Sequence, residues 1–231
     1  MAEAVSYVPA IIKRLRKAFD GRVPLIGFGG APFTLACYMV EGQGSKDFAS
    51  LKKMMYSDPG LYHALMEKIT EMSVRYLNMQ IEAGAQTIQI FDTWGGLVAP
   101  HDFEKFVLPY TKKLIASLNR KNVPIIYFVK NSGTMLELVK EAGSDVIGLD
   151  WHIDLGKARD ILGDDVAVQG NLDPSVLFAP HDYIEKEVQR ILDVNADRPG
   201  LIFNLGHGIT PSVPPANAIF MVDAVHRLSQ K

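Results

Sequence analysis

Six short runs of apolar residues punctuate the chain, at 24–29, 85–91, 123–129, 145–149, 166–170 and 201–205, each bounded by Gly, Pro, Asp or Asn. Runs so short and so uniformly apolar predict strands buried on both faces. Between them the pattern changes to a helical period. The clearest case is 59–83, with Asp58 as N-cap, Pro59 at the first helical position and Gly84 just past the end. Further helices are expected after Asp47, Pro109, Thr134, Asp182 and Pro214, and a short one from Thr34 to Val40. Ahead of the first strand, Ile11, Ile12, Leu15 and Phe19 interleave with Lys13, Arg14, Arg16 and Lys17. That is an amphipathic helix, a pattern shared by helices that cover a core and by targeting segments, and no apolar stretch with a small-residue cleavage site accompanies it.

Strand followed by helix, six times over, predicts a parallel α/β sheet, because parallel strands need crossover connections and are covered on both faces. Either an open doubly wound sheet or a barrel satisfies this. Neither GxGxxG nor GxxxxGK[ST] follows any of the strands, so the phosphate-cradling loops of nucleotide-binding open sheets are missing and a barrel is favoured. Six strands cannot close the geometry of eight. The expectation is therefore a single domain, 1–231, forming an incomplete (β/α)8 TIM-type barrel of about six βα units, with the first two units lacking at the N-terminus. Two strands escaping the pattern, or an open sheet, are the alternatives. If units are lacking, 24–29 and 201–205 become exposed edges, which promote association.

Composition narrows the partners. With 48% hydrophobic and 22% charged residues the chain can bury one sizeable core, and disorder is excluded as its main state. Its 24 basic and 26 acidic residues nearly cancel, and no basic run interleaves with aromatics, so a small molecule is expected rather than nucleic acid. The one cysteine, Cys37, permits no intramolecular disulfide and no Cys-based structural zinc site, which fits a reducing, cytoplasmic setting. The longest uncharged run, 24–40, is interrupted by Gly27, Gly29, Gly30 and Pro32 and is not a membrane span.

In a barrel the chemistry sits just beyond the C-terminal ends of the strands. There the chain places Tyr38 and Glu41, then Asp92, Thr93 and Trp94, then Lys130 and Asn131, Asp150 and Trp151, Asn171 and Asp173, and finally Asn204 and His207. His207 is flanked by glycines in NLGHG, which let a ligand approach the backbone and expose the imidazole. The run FDTWGG, Phe91 to Gly96, packs an acid, a hydroxyl, an aromatic and two glycines into one strand end; either Phe91 or Asp92 must face the interior. Thr93 either donates to a ligand or caps the turn, and Tyr38 either packs against a flat ligand or belongs to a helix core. Trp94 reads as packing, Cys37 as buried and inert, Lys130 as a snorkelling or ion-paired lysine, and Asp150, Asn171 and Asp173 as turn and cap formers. His63, His181 and His226 fall on helices or caps as solvated side chains, and His101 and His152 lie in loops.

The series PLIGFGGAPFTLACYMVEG, KKMMYSDP, AGAQTIQIFDTWGG, VIGLDW, VQGNLDP, NLGHGI with VPP, and AVHRLS resembles the uroporphyrinogen decarboxylase family in order and spacing, from about Val23 to the C-terminus. The resemblance implies a (β/α)8 barrel, often a homodimer, that removes carbon dioxide from the four acetate side chains of uroporphyrinogen to give coproporphyrinogen, without metal or organic cofactor. It also implies substrate-binding roles for Tyr38, Thr93 and His207. The family's two arginines and its central aspartate match no position of this sequence, and are expected upstream. Arg75, Arg159, Arg190 and Arg227 fall on predicted helices, and Arg22, Arg120 and Arg198 precede strands at the opposite end. The resemblance thus implies a chain inactive on its own. Two alternatives accompany it: a related barrel methyltransferase using zinc, which a single cysteine disfavours, and a non-catalytic assembly module.

Overall fold

The computed structural model describes residues 5–196 and 198–230. Helix α1 (Tyr7–Phe19) leads into strand β1 (Ile26–Gly30), followed by α2 (Pro32–Glu41), α3 (Ala49–Ser57) and the long α4 (Pro59–Ala83). Strand β2 (Thr87–Asp92) precedes α5 (Pro100–Asp102), which runs through a π-helical turn at Phe103–Val107 into α6 (Leu108–Ala116). Then come β3 (Ile125–Val129), α7 (Leu136–Lys140), β4 (Val146–Leu149), α8 (Leu155–Leu162), β5 (Ala167–Leu172), α9 (His181–Val194), β6 (Leu201–Leu205) and α10 (Pro215–Leu228). All six expected strands form. Helix α4 has the predicted bounds: the Asp58 carboxylate accepts the Leu61 N–H at 3.0 Å, and Gly84 closes the helix in the left-handed conformation. Helix α8, capped by Asp154, is an element for which the sequence reading named no start.

All five pairings are parallel, and the sheet order is β1-β2-β3-β4-β5-β6. A doubly wound sheet reverses its order at a switch point; this one never does. Right-handed crossovers that always step in the same direction place every connecting helix on one face, which is the arrangement of a barrel wall. The main core lies between that face and the helices, around Ile88, Ile90, Tyr127, Ile147, Leu149 and Val168. Among the described residues β1 and β6 each pair on one side only.

The β1 edge carries a finding the sequence pattern did not predict. Leu25 O and Ala31 N bond to β2, so by alternation the peptide groups of Ile26, Phe28 and Gly30 point away from it. Gln80 of α4 reaches that side: its Oε1 accepts the Phe28 N–H at 2.9 Å and its Nε2 donates to the Phe28 carbonyl at 2.8 Å. Gly27 makes room, since a Cβ there would lie 2.7 Å from Gln80 Oε1. One side chain thus stands in for the peptide of a neighbouring strand. Among the described residues no helix is long and apolar enough to cross a membrane.

Candidate active site

The inner face of the sheet carries the alternate residues of each strand. Gln89, Phe91 and Thr93 of β2 and its end, Phe128 of β3, Gln169 of β5, and Asn204, Gly206 and His207 at the end of β6 line one cavity of about 490 Å³. It sits where the strands end, so FDTWGG and NLGHG, more than a hundred residues apart in sequence, meet in one place. Its wall is aromatic: Phe91, Phe128 and His207 make successive edge contacts with ring centroids 6.1 to 6.2 Å apart, and Phe28 of β1 extends the row outside the cavity. Its floor is polar, with Gln169 Nε2 3.4 Å from Gln89 Oε1.

The glycines of both motifs are required by close backbone approach. A Cβ on Gly96 would lie 1.9 Å from the Lys130 carbonyl oxygen, and one on Gly206 would lie 2.9 Å from the Trp151 nitrogen. The first contact seats the FDTWGG turn on the end of β3, and the second seats the end of β6 on the segment after β4. His207 meets Phe128 edge-on, with ring centroids 6.1 Å apart. Its imidazole pKa lies below the ordinary value, mainly through desolvation and secondarily through the Lys130 charge, with Asp150 acting in the opposite direction. The ring is therefore neutral at neutral pH and can both donate and accept a hydrogen bond.

Between the two alternatives at the strand end, Phe91 faces the cavity and Asp92 turns to the helix side, fully buried. Its carboxylate accepts the Thr34 hydroxyl at 2.7 Å and the Tyr127 hydroxyl at 2.9 Å, together with the backbone N–H groups of Gly95 and Thr34. Burial nevertheless pushes its pKa up to about 6, against the pull of those bonds.

Of the three expected substrate groups, Thr93 and His207 line the cavity, whereas Tyr38 lies on α2 outside the lining, exposed, with its ring 6.1 Å from both Phe48 and Trp94. Trp94 packs at 4.9 Å on Phe48, and its buried indole N–H has no hydrogen-bond partner among the described residues. Cys37 is buried with its thiol pKa raised, chiefly by desolvation. Asp150 accepts the backbone N–H groups of Asn131 and His152, Asn171 donates to the Asp150 and Ile153 carbonyls, and Asp173 caps Ser175, so all three hold loops. His63 departs from the solvated reading: it is half-buried, bonded to the Tyr110 hydroxyl and stacked on Phe106. Arg159 is wholly buried, donating to the Asn195 side chain and to the Val166 and Pro199 carbonyls. Among the described residues, no Arg, Lys, Asp or Glu lines the cavity. Gln89 and Gln169 were missed by sequence reasoning, although a lone polar residue at an inward position of an apolar strand, in TIQIF and AVQGN, is the signal that marks them.

Residues 1–228 match the family model described as Uroporphyrinogen decarboxylase (URO-D). The chain belongs to that family. Uroporphyrinogen decarboxylase of Geobacter sp. strain M21 is 71% identical over 231 residues, covering 100% of this chain and 68% of that protein. The enzyme so named from Geobacter metallireducens is 69% identical over 229 residues, covering 99% of this chain and 67% of the other. The chain thus spans about two thirds of the length of these relatives. A methyltransferase from Methanosarcina mazei superposes with a TM-score of 0.85 at 24% identity, covering 98% of this chain and 65% of the other, a likeness of fold. By family the chain is a carboxy-lyase. Among the described residues no group of three His, Cys, Asp or Glu is placed to hold a metal ion.

Proposed function

We propose that the cavity binds uroporphyrinogen, that Thr93 and His207 position its carboxylates and Tyr38 borders it, and that decarboxylation needs cationic groups supplied from outside these 231 residues. One observation carries the reading: in a chain of this family, both polar strand-end motifs line a single aromatic-walled cavity that presents no fixed positive charge. A ligand with eight carboxylates requires cations around it. The polar donors here can orient such a ligand and the aromatic wall can pack against its pyrrole rings.

The chemistry fits a site without a cofactor. Protonating a ring carbon of the pyrrole makes it an iminium. The bond from the acetate CH2 to its carboxylate then breaks, its electron pair flows into the ring, and carbon dioxide leaves. Protonating the resulting methylene carbon and losing the ring proton restores the pyrrole with a methyl group, so each acetate consumes one proton net. The substrate is its own electron sink.

Two further βα units would close the wall between β6 and β1, each of which pairs on one side only, and the greater length of the relatives supports their existence. The complete protein is a cytoplasmic homodimer on this reading. The test adds uroporphyrin, the oxidised planar form of the substrate, to the chain and follows quenching of its fluorescence. Decarboxylation of uroporphyrinogen is then assayed with the chain alone and after co-expression with the remaining third of a relative. Binding without turnover, and turnover on complementation, are expected. Turnover by the chain alone would overturn the division of the site, and absence of binding would overturn the site itself.

A further inference from the structure

Helix α2 begins without a cap of its own: Ala31 occupies the N-cap position and has no side-chain oxygen to offer. The Thr34 N–H in its first turn is taken instead by the Asp92 carboxylate, 58 residues further along the chain at the end of β2. A buried anion at this position also complements the positive end of the helix. The same carboxylate accepts the Gly95 N–H, and Thr34 Oγ1, which donates its proton to Asp92 at 2.7 Å, accepts the Trp94 N–H at 3.2 Å. Tyr127 Oη holds the other carboxylate oxygen at 2.9 Å from β3.

The pattern has a consequence for the residues on either side. The peptide groups of Trp94 and Gly95 are gripped on the helix side, which fixes the backbone carrying Thr93 while its side chain faces the cavity. Tyr38 lies four residues after Thr34, on the same face of α2, and its ring meets Trp94. Two groups from different elements are therefore referred to one buried carboxylate.

We propose that Asp92 is a positioning residue that acts through Thr34 to set Thr93 and Tyr38 relative to one another, and so sets the fit of the tetrapyrrole. This rests on the reading of the cavity given above. Asp92 touches no substrate; it fixes the residues that do.

The test uses the whole chain and two readouts. Thr34→Val keeps the shape of the side chain but removes the hydroxyl that links Asp92 to Trp94, Thr34→Ser restores that hydroxyl, and Asp92→Asn removes the charge. Uroporphyrin affinity is expected to fall at least about tenfold in Thr34→Val, the equivalent of one charge-assisted hydrogen bond, and to return to within about twofold in Thr34→Ser. A purely structural role would lower the melting temperature of Thr34→Val and leave the affinity of the folded protein unchanged, and that result overturns the proposal. Amide hydrogen exchange is read in parallel. Faster exchange at Trp94 and Gly95 in Thr34→Val or Asp92→Asn, by at least about tenfold with β3 and β4 unaltered, supports the clamp. If the parent chain does not bind uroporphyrin, the cavity reading fails separately. The clamp then stands or falls on exchange alone, and unchanged protection in both variants overturns it.

Discussion

Gln169 Nε2 stands 3.4 Å from Gln89 Oε1, so β5 touches β2 across the inner face, over the two strands that separate them. Each amide spends one group on the other, and a primary amide has two N–H donors and a carbonyl, so polar capacity remains at the cavity floor. We expect Gln89→Leu to weaken uroporphyrin binding about tenfold, the value of one lost hydrogen bond with its partner left unpaired. The leucine removes no packing volume but leaves Gln169 Nε2 without its acceptor, a loss of about 1 kcal/mol that should lower the melting temperature by roughly 2 to 4 °C. Titrating uroporphyrin into both proteins checks this, and equal affinities would remove Gln89 from the binding surface.

Gly96→Ala tests the seating of FDTWGG on β3. Its Cβ would meet the Lys130 carbonyl oxygen at 1.9 Å, and the obstacle is backbone, which cannot rotate away. Overpacking against a fixed neighbour costs about 3 kcal/mol, which lowers the melting temperature by roughly 6 to 12 °C for a chain of this size. Gly44→Ala is the control, because nothing lies within 4 Å of a Cβ there. Thermal denaturation of the two variants should separate them clearly.

The sequence pattern located all six strands because each is a short, mainly apolar run between Gly, Pro, Asp or Asn; β3 and β4 are buried on both faces, whereas the edge strands β1 and β6 keep exposed positions. It located α4 because Asp58, Pro59 and Gly84 mark its ends chemically. Helix α8 was expected, with Arg159 on it, but its start was not named, because its cap, Asp154, sits among other loop aspartates. Thr93 and His207 were legible from local features, glycines and polar groups at strand ends. The Asp92 carboxylate was legible as a residue but not in its orientation. Facing inward or outward is settled by which neighbours supply donors, and Thr34 and Tyr127 come from other elements.

The pH dependence of stability should carry the signature of Asp92. Its carboxyl, ordinarily near 3.8, is pushed up to about 6 by burial, so between those values the folded protein holds a proton that the unfolded chain has released. Stability from this group therefore rises as pH falls from about 6 to about 4, by up to roughly 3 kcal/mol for a gap of about 2 pH units. His207 acts in the opposite sense: its pKa is lowered, so the unfolded chain binds protons more readily and stability falls as pH drops below about 6.5. Besides Thr34 and Tyr127, Cys37 and Tyr62 face Asp92, and both have raised pKa values, so neither changes charge in this range. Urea denaturation at pH 4.5 and 7 should show acid destabilisation that is stronger in Asp92→Asn than in the parent. An identical pH dependence in the two proteins would count against an ionising Asp92.

Gln80 guards the β1 edge, and its removal should change how the chain associates. Its amide occupies the N–H and C=O of Phe28, the central residue of a five-residue strand, on the side facing away from β2. An edge strand with these groups open is a template for another strand, and Ile26 and Phe28 beside it are exposed apolar side chains that favour such pairing. Gln80→Leu keeps the length and buries well in α4, but leaves the Phe28 peptide with no partner from this side chain. The loss of two hydrogen bonds costs about 1 to 3 kcal/mol in an isolated molecule, a cost that pairing between copies would recover. Sizing chromatography over a range of concentrations should therefore show the Leu variant shifting to larger species at lower concentration than the parent, whereas Gln80→Glu, which keeps only the acceptor for the Phe28 N–H, should lie between them. If all three elute alike, the bidentate contact has no part in keeping the edge closed.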